Sequence, residues 1–324
     1  MLQAIAAAHA VRRDTAPNPW VGAVVVTIDG RRFEGATAPA GGPHAEVSAL
    51  AAAGADARGA TLYVTLEPCA HHGRTPPCVD AVVAAGIRRV VVAIEDPDAR
   101  VAGRGVGELG RRGIEVEVGT EAAAVRAQLA AYLVHRTRHR PLVTLKLAST
   151  LDGRIAAPDG SSRWITGPAA RADVHRLRAE HDAVLVGAGT VRHDDPELTV
   201  RAVEGRDPLR VVLGTARAEA KVQPALELSG DLGDVLGVLA RRGVLSLLVE
   251  GGATVARRFH LEGLVDRYVL YLAPALLGGD DGRPLFAGSG ASTIAEAWRG
   301  EIVDVQRLGP DLRVDLVPSV AAAA

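Results

Sequence analysis

Two features of the sequence predict a two-domain α/β protein. Strand and helix signals alternate along the chain, and after a basic stretch, 134–140, the alternation starts afresh at Pro141. A chain of 324 residues also divides into two domains of ordinary size. Strands alternating with helices place a sheet under covering helices. Each part, 1–139 and 140–324, is therefore expected to be a layered α/β domain.

In the first part, GAVVVTIDG and RRFEGAT read as a hairpin around Asp29-Gly30. HAEVSALAAAG reads as a helix closed by Gly54, and CVDAVVAAG as one closed by Gly86. ATLYVTLEP lies between them as a strand. RRVVVAIEDP is a strand bounded by Pro97, VGELGRRG a short helix and IEVEVG a strand. A helix over 121–133 leads into the basic stretch, which reads as the linker. The second part opens with the strand PLVTLKLAST. A helix over 168–180 leads to DAVLVGAGT, whose apolar run suits a buried strand. PLRVVLGTA is a strand. LSLLVEGGATVARRFHLEG is strand, glycine turn and helix, and RYVLYLAP and LRVDLVP are closing strands. Residues 217–234 read as loop with one short helix.

The formal charge of −1 and an aromatic content of 3% give no basic or aromatic surface for general nucleic-acid or membrane binding. The opening MLQAIAAAHAVRRD lacks the basic start and cleavage site of a signal peptide. No apolar run approaches the roughly 20 residues of a membrane helix. A soluble cytoplasmic protein is expected. Its two cysteines, Cys69 and Cys78, are too few for a disulfide framework and point to metal or redox chemistry.

The strongest local signal is His44-Ala45-Glu46, followed by Pro68-Cys69 and Cys78. A catalytic zinc takes three protein ligands and leaves one position for water. His44, Cys69 and Cys78 supply those three, all expected at or near helix starts, where the positive end of the dipole favours thiolate at Cys78. Glu46 can reach that water without being a ligand and can move its proton. A structural zinc site would need a fourth ligand, which His71 or His72 could supply, but it would leave Glu46 without a role.

TLEPCAHHGRTPPC (65–78), with PNPWVGAVVV (17–26) and GGPHAEVSAL (41–50), resembles the deaminase domain of bacterial RibD-type riboflavin-biosynthesis proteins. DPDARVAGRG (96–105) is similar as well, with Asp98 where that family more often has Asn. The resemblance implies a cytidine-deaminase-like three-layer domain. It implies His44, Cys69 and Cys78 as zinc ligands, Glu46 as proton shuttle, Asn18 on the pyrimidine edge and Arg74 on the substrate phosphate.

KLASTLDGRIA (146–156), SSRWITG (161–167), DAVLVGAGTVRHDDPELTVR (182–201) and LLVEGGATVARRF (247–259) resemble the reductase domain of the same family. A dihydrofolate-reductase-like fold is implied, not a Rossmann domain, since Gly251-Gly252 is no GxGxxG fingerprint. The implied NADPH contacts are Ala148, Trp164, Thr190, Asp194, Thr215, Gly252, Ala253, Thr254, Val255, Ala256, Arg257 and Arg258. The implied substrate contacts are Ser162, Arg178, Leu198, Arg201 and Glu250. Thr215 follows Gly214 where the family commonly places Asp, and 216–245 is short for the family, so the choice between NADPH and NADH stays open. The resemblance further implies phosphorylated pyrimidine substrates, consecutive deamination and reduction, and a homo-oligomer.

Overall fold

A computed structural model describes residues 1–72, 76–98 and 101–319. The chain divides into two units, Met1–Arg140 and Pro141–Ala324. The first contains α1 (Leu2–Ala10), β1 (Gly22–Val26), β2 (Arg32–Ala36), α2 (Ala45–Ala53), β3 (Thr61–Leu66), α3 (Cys78–Ala84), β4 (Arg89–Ile94), α4 (Arg104–Arg111), β5 (Glu115–Val118), α5 (Ala122–Gln128) and α6 (Ala130–Arg138). Its five-stranded sheet has the order β2-β1-β3-β4-β5. β1 is antiparallel to both neighbours, whereas β3, β4 and β5 run parallel. Parallel neighbours need crossover connections, and α3 and α4 lie in them. The inner strand β4, RVVVAI, is apolar along almost its whole length because helices cover both its faces.

The basic stretch 134–140 is not a linker. α6 runs through it to Arg138, with His135, Arg136 and Arg138 in its last turn. No Gly or Pro interrupts the helix before Pro141, and cations there complement the carbonyl end of its dipole.

The second unit contains β6 (Leu142–Thr150), β7 (Arg154–Ala156), α7 (Pro168–Glu180), β8 (Ala183–Gly187), α8 (Ala188–Asp194), β9 (Leu209–Leu213), β10 (Leu226–Leu228), α9 (Leu232–Arg241), β11 (Ser246–Val249), α10 (Ala253–Leu261), β12 (Arg267–Ala273), β13 (Arg283–Pro284), β14 (Gly300–Leu308) and β15 (Asp311–Pro318). The eight-stranded sheet has the order β10-β9-β8-β11-β6-β12-β15-β14. Strands β10 to β12 in that order are parallel, and β15 and β14 add an antiparallel edge. The inner strands AVLVG and SLLV are buried throughout, as the apolar runs predict.

Three details differ from expectation. DAVLVGAGT stops being a strand at Gly187, and its end forms α8. Residues 217–234 hold the short strand β10, and α9 starts at Leu232, where the Asp231 side chain accepts from the Gly233 amide at 2.7 Å. β14 escapes the sequence pattern because it is an exposed edge with no buried face to impose alternation.

A buried ionic cluster anchors α7 to the sheet. Arg313, 3% exposed, donates to Asp173 at 2.8 Å and to both oxygens of Asp315 at 3.0 Å, and the Tyr271 hydroxyl donates to Asp173 at 2.6 Å. Each charge has partners, the condition under which a buried pair is tolerated.

In the first unit, α2 lies so close to β2 that a Cβ on Gly35 would come 2.3 Å from the Ala49 amide and 2.4 Å from the Ala45 carbonyl. Backbone cannot yield as a side-chain tip can. Gly35→Ala is therefore expected to destabilise by about 1–3 kcal/mol, read as a lowered thermal midpoint. Gly107→Ala, on α4 with no atom within 4 Å of the added carbon, should be neutral or stabilise by up to about 1 kcal/mol. Equal effects at the two positions would refute the steric account.

Candidate active sites

Two helix starts and a strand end build the first site. His44 is the N-cap of α2, with extended backbone, and Glu46 lies in that helix's first turn. Pro68-Cys69 follows β3 directly, and Cys78 is the first residue of α3. Cys69 is thus in a loop and not at a helix start. It nevertheless receives the start of α3, because the Cys78 amide donates to its sulfur at 3.4 Å. His44 Nδ1 lies 3.2 Å from Cys78 Sγ and 3.7 Å from Cys69 Sγ. All three ligand atoms fall within 4.8 Å of one another. Tetrahedral zinc with bonds of roughly 2.0–2.3 Å requires ligand separations in this range, and nitrogen with two sulfurs is a donor set it favours, so the residues fit zinc. Among the described residues neither His71 nor His72 joins the group, which leaves the three-ligand reading and not the closed structural one.

The surrounding chemistry is uneven. Hydrogen bonding from the Cys78 thiol, with His44 alongside, holds the Cys69 thiol far below its ordinary range, while Cys78 is pushed up by that same partner and by burial. Glu46 is 3% exposed, and burial raises its carboxyl to about 7. A cavity of about 480 Å³ opens over His44, Glu46 and Cys69. Asn18, His71, Glu67, Asp96, Asp98, Tyr132 and Arg136 also line it. Asn18 is therefore placed with the metal set. Arg74 lies outside the described residues.

Glu67 escaped sequence reasoning, although it stands inside the motif string. It is 4% exposed. Its carboxylate accepts from the amides of Asp96 at 3.1 Å, Gly103 at 2.9 Å, Gly105 at 2.8 Å and Val106 at 3.0 Å. These bonds fasten the loop after β4 and the start of α4 to the strand end that carries Cys69. Gly105 sits so tightly there that a Cβ would lie 1.9 Å from the Pro68 carbonyl oxygen. Nothing in the sequence marks Tyr132, inside the expected helix 121–133, or Arg136, inside the expected linker, as lining a site. The Tyr132 hydroxyl donates to both oxygens of Asp96 at 3.1 Å, and Arg136 pairs with Asp98.

In the second unit, Arg178 on α7 forms a two-pronged pair with Glu250, which follows β11, at 2.6 and 2.9 Å. Burial works against the Glu250 carboxylate, but Arg178 outweighs it and holds the group below the usual carboxylate range. Lys146 on β6, unremarked in the sequence, lies in the same charge group, where burial lowers its ammonium. Arg178 Nη1 also donates to the Thr199 carbonyl at 3.2 Å. Arg201 is near this loop, its guanidinium on Glu197 at 3.0 Å and its amide 3.4 Å from His175 Nδ1.

The expected cofactor residues are partly assembled. Gly252 is the N-cap of α10, and a Cβ there would touch Thr190 Oγ1 at 3.4 Å, so Thr190, on α8, sits beside that helix start. Ala148 lies on β6 next to β12. The Asp194 carbonyl accepts from Arg163 at 2.7 Å. Trp164 is 69% exposed, with the Arg171 guanidinium 4.4 Å from its ring centre. Ser162 is half-buried in the loop before α7, and Thr215 is exposed after β9. Ala253 and Thr254 stand in the first turn of α10, whereas Arg257 reaches the Ser289 carbonyl and Arg258 the Gly230 carbonyl. Val255, Ala256 and Leu198 are core, 9%, 0% and 2% exposed. Helix periodicity turns Val255 and Ala256 inward, and only their backbone is left for a ligand.

A three-ligand metal set over a buried glutamate, on a mixed sheet joined in sequence to a second α/β unit, defines a two-domain enzyme with a zinc-deaminase centre. Residues 1–94 match the family described as the cytidine and deoxycytidylate deaminase zinc-binding region, and residues 141–314 match the RibD C-terminal domain. The riboflavin biosynthesis protein RibD of Mycobacterium tuberculosis is 44% identical, over 97% of this chain and 95% of its own, and that of Escherichia coli is 38% identical over 98% of each. The solved RibD of Acinetobacter baumannii superposes with a TM-score of 0.90 at 40% identity, covering 98% of this chain and 97% of its own. A Thermotoga maritima structure, described as a diaminohydroxyphosphoribosylaminopyrimidine deaminase/5-amino-6-(5-phosphoribosylamino)uracil reductase, gives 0.87 at 37% identity over the same shares. The chain belongs to the RibD family, bifunctional enzymes of riboflavin biosynthesis with a deaminase and a reductase domain.

Replacing Cys69 or Cys78 by Ser should remove most of the zinc, measured as metal per chain after dialysis. Full retention in either variant would show that the cysteine is not a ligand.

Proposed function

We propose that the first unit hydrolytically deaminates 2,5-diamino-6-ribosylamino-4(3H)-pyrimidinone 5′-phosphate. The second then reduces 5-amino-6-(5-phosphoribosylamino)uracil to the ribitylamino compound with NADPH. The observation that carries the reading is Glu46 beside His44, Cys69 and Cys78, in a cavity that Asn18 also lines. The description of the Thermotoga maritima relative supports it.

When bound, zinc on His44, Cys69 and Cys78 leaves one position for water and lowers that water's pKa to about 7. Glu46 would carry one proton from the attacking water to the ring nitrogen, and then a second, from the hydroxyl so formed on the ring carbon, to the amine, which leaves as ammonia as the carbonyl forms. The Asn18 amide holds the pyrimidine edge through paired donor and acceptor groups, and Arg74 meets the phosphate. In the second unit the helix start at Gly252, with Thr190 beside it, suits a cofactor phosphate. When bound, NADPH would supply hydride to the sugar C1′, whose bond to the ring oxygen O4′ breaks while that oxygen gains a proton. Arg178, Arg201 and Glu250 hold the sugar and phosphate of the substrate.

A homo-oligomer completes the reading. β14 is an open edge of nine residues with Ile302, Val303 and Val305 59%, 50% and 55% exposed, and such an edge pairs readily with another strand. No helix among the described residues is long and apolar enough to cross a membrane. We place the enzyme in the cytoplasm, without a nucleic-acid partner, on its near-neutral charge and two free thiols.

Glu46→Gln should abolish ammonia release by at least about 10²–10⁴-fold while zinc is kept, because the amide cannot shuttle a proton. Near-normal deamination would remove Glu46 from the mechanism. The same variant tests the order of reactions. Deamination exchanges a donor amine for an acceptor carbonyl, and a pocket built for the carbonyl would leave a polar group unpaired against the precursor. That costs about 1–3 kcal/mol, or roughly tenfold to a hundredfold. With NADPH, Glu46→Gln should consume almost no cofactor on the diamino compound and run at the normal rate on the deaminated one. Equal rates would refute the order.

A further inference from the structure

The deaminase cavity carries an electrostatic problem that its metal set does not solve. Four carboxylates line it: Glu46, Glu67, Asp96 and Asp98. Glu67 is satisfied by backbone amides. Asp96 accepts from Tyr132 and from the Asp98 amide. Burial raises the carboxyls of Glu46 and Asp96 to about 7 and about 6, yet the described lining that a phosphorylated substrate meets is still rich in acidic groups, and Arg74, given to the phosphate above, lies outside the described residues. Among the described lining residues one Lys or Arg is present, Arg136.

Arg136 is held where it can act. It stands one helical turn after Tyr132, so both side chains share a face of α6. Its guanidinium lies 5.7 Å from the Tyr132 ring centre, and Nη2 bonds Asp98. The Arg136 side chain is 29% exposed and that of Asp98 11%, so the cation keeps access to the cavity while its anchor is largely covered. A guanidinium has five N–H donors, and the bond to Asp98 occupies one. Fixing the fork in advance reduces the ordering cost of each further bond.

We propose that Arg136 is a substrate-binding residue of the deaminase site that donates to the 5′-phosphate, with Asp98 and Tyr132 as its supports. This rests on the reading of the substrate as a phosphorylated pyrimidine. It assigns α6 a wall of the site, and it gives Asp98 the role of aiming a cation.

The test measures deamination of the diamino substrate and of its dephosphorylated form by wild type, Arg136→Gln, Arg136→Lys and the double variant Asp98→Asn/Arg136→Gln. Zinc per chain and the NADPH reaction on the deaminated compound check integrity. A charge-assisted bond to phosphate predicts that Arg136→Gln raises KM for the phosphorylated compound roughly tenfold to a hundredfold, with the effect in KM more than in kcat. The dephosphorylated compound should show little further rise, and the double variant should stay impaired. Arg136→Lys, which keeps the charge without the fork, should fall between wild type and Gln, and it carries the test should Arg136→Gln fail to fold. Recovery of KM in the double variant would mean that Arg136 merely neutralises Asp98, and would overturn the proposal. So would an equal rise for both compounds, or an unchanged KM with wild type active. A wild-type protein inert on the phosphorylated compound would overturn the substrate reading itself.

Discussion

The deaminase unit is organised around one buried carboxylate, Glu67, whose partners among the described residues are backbone amides. Glu67 is held by four backbone amides drawn from the loop after β4 and the first turn of α4. Leaving such a group unsatisfied would cost more than most single contacts supply, so the backbone at Asp96, Gly103, Gly105 and Val106 is tied to it. The residue two places on is Cys69. A single side chain therefore sets the position of a metal ligand and of the loop bearing Asp96 and Asp98 together. The approach of Gly105 to Pro68 shows how closely the two segments are drawn in.

The second unit meets the same need with opposite means. There a buried cation, Arg313, is satisfied by Asp173 and Asp315, and Tyr271 completes Asp173. This cluster fixes α7, and α7 presents Arg178 to Glu250. In both units the residue that touches substrate under the proposed function is carried by an element whose placement a buried charge decides. The sheets differ in direction, yet each delivers its chemistry at the ends of parallel strands, where β3 leads to Cys69 and β11 to Glu250.

Much of this was legible in the sequence, and the exceptions have physical causes. The alternation of strands and helices was readable because inner parallel strands are apolar from end to end. His44, Glu46, Cys69 and Cys78 were readable because ligand chemistry restricts residue types and spacing. Arg136 was not, since a basic helical turn looks the same whether it faces water or a cavity. Lys146 was hidden inside an apolar strand, and its neighbours Arg178 and Glu250 arrive from distant segments. Leu198, Val255 and Ala256 lie in matching strings, but a motif does not tell which side chain points inward. β14 has no buried face, so no periodicity marks it.

The tryptophans of the chain occupy dissimilar surroundings. Trp20 is 4% exposed, Trp298 packs 4.7 Å from the Tyr268 ring centre, and Trp164 is 69% exposed with a guanidinium against one face. Indole emission depends on solvent and on nearby charge. Trp164, with Arg163 5.8 Å from its ring centre as well, therefore furnishes the second unit with an intrinsic optical gauge, red-shifted relative to a buried indole and sensitive to whatever covers its exposed ring.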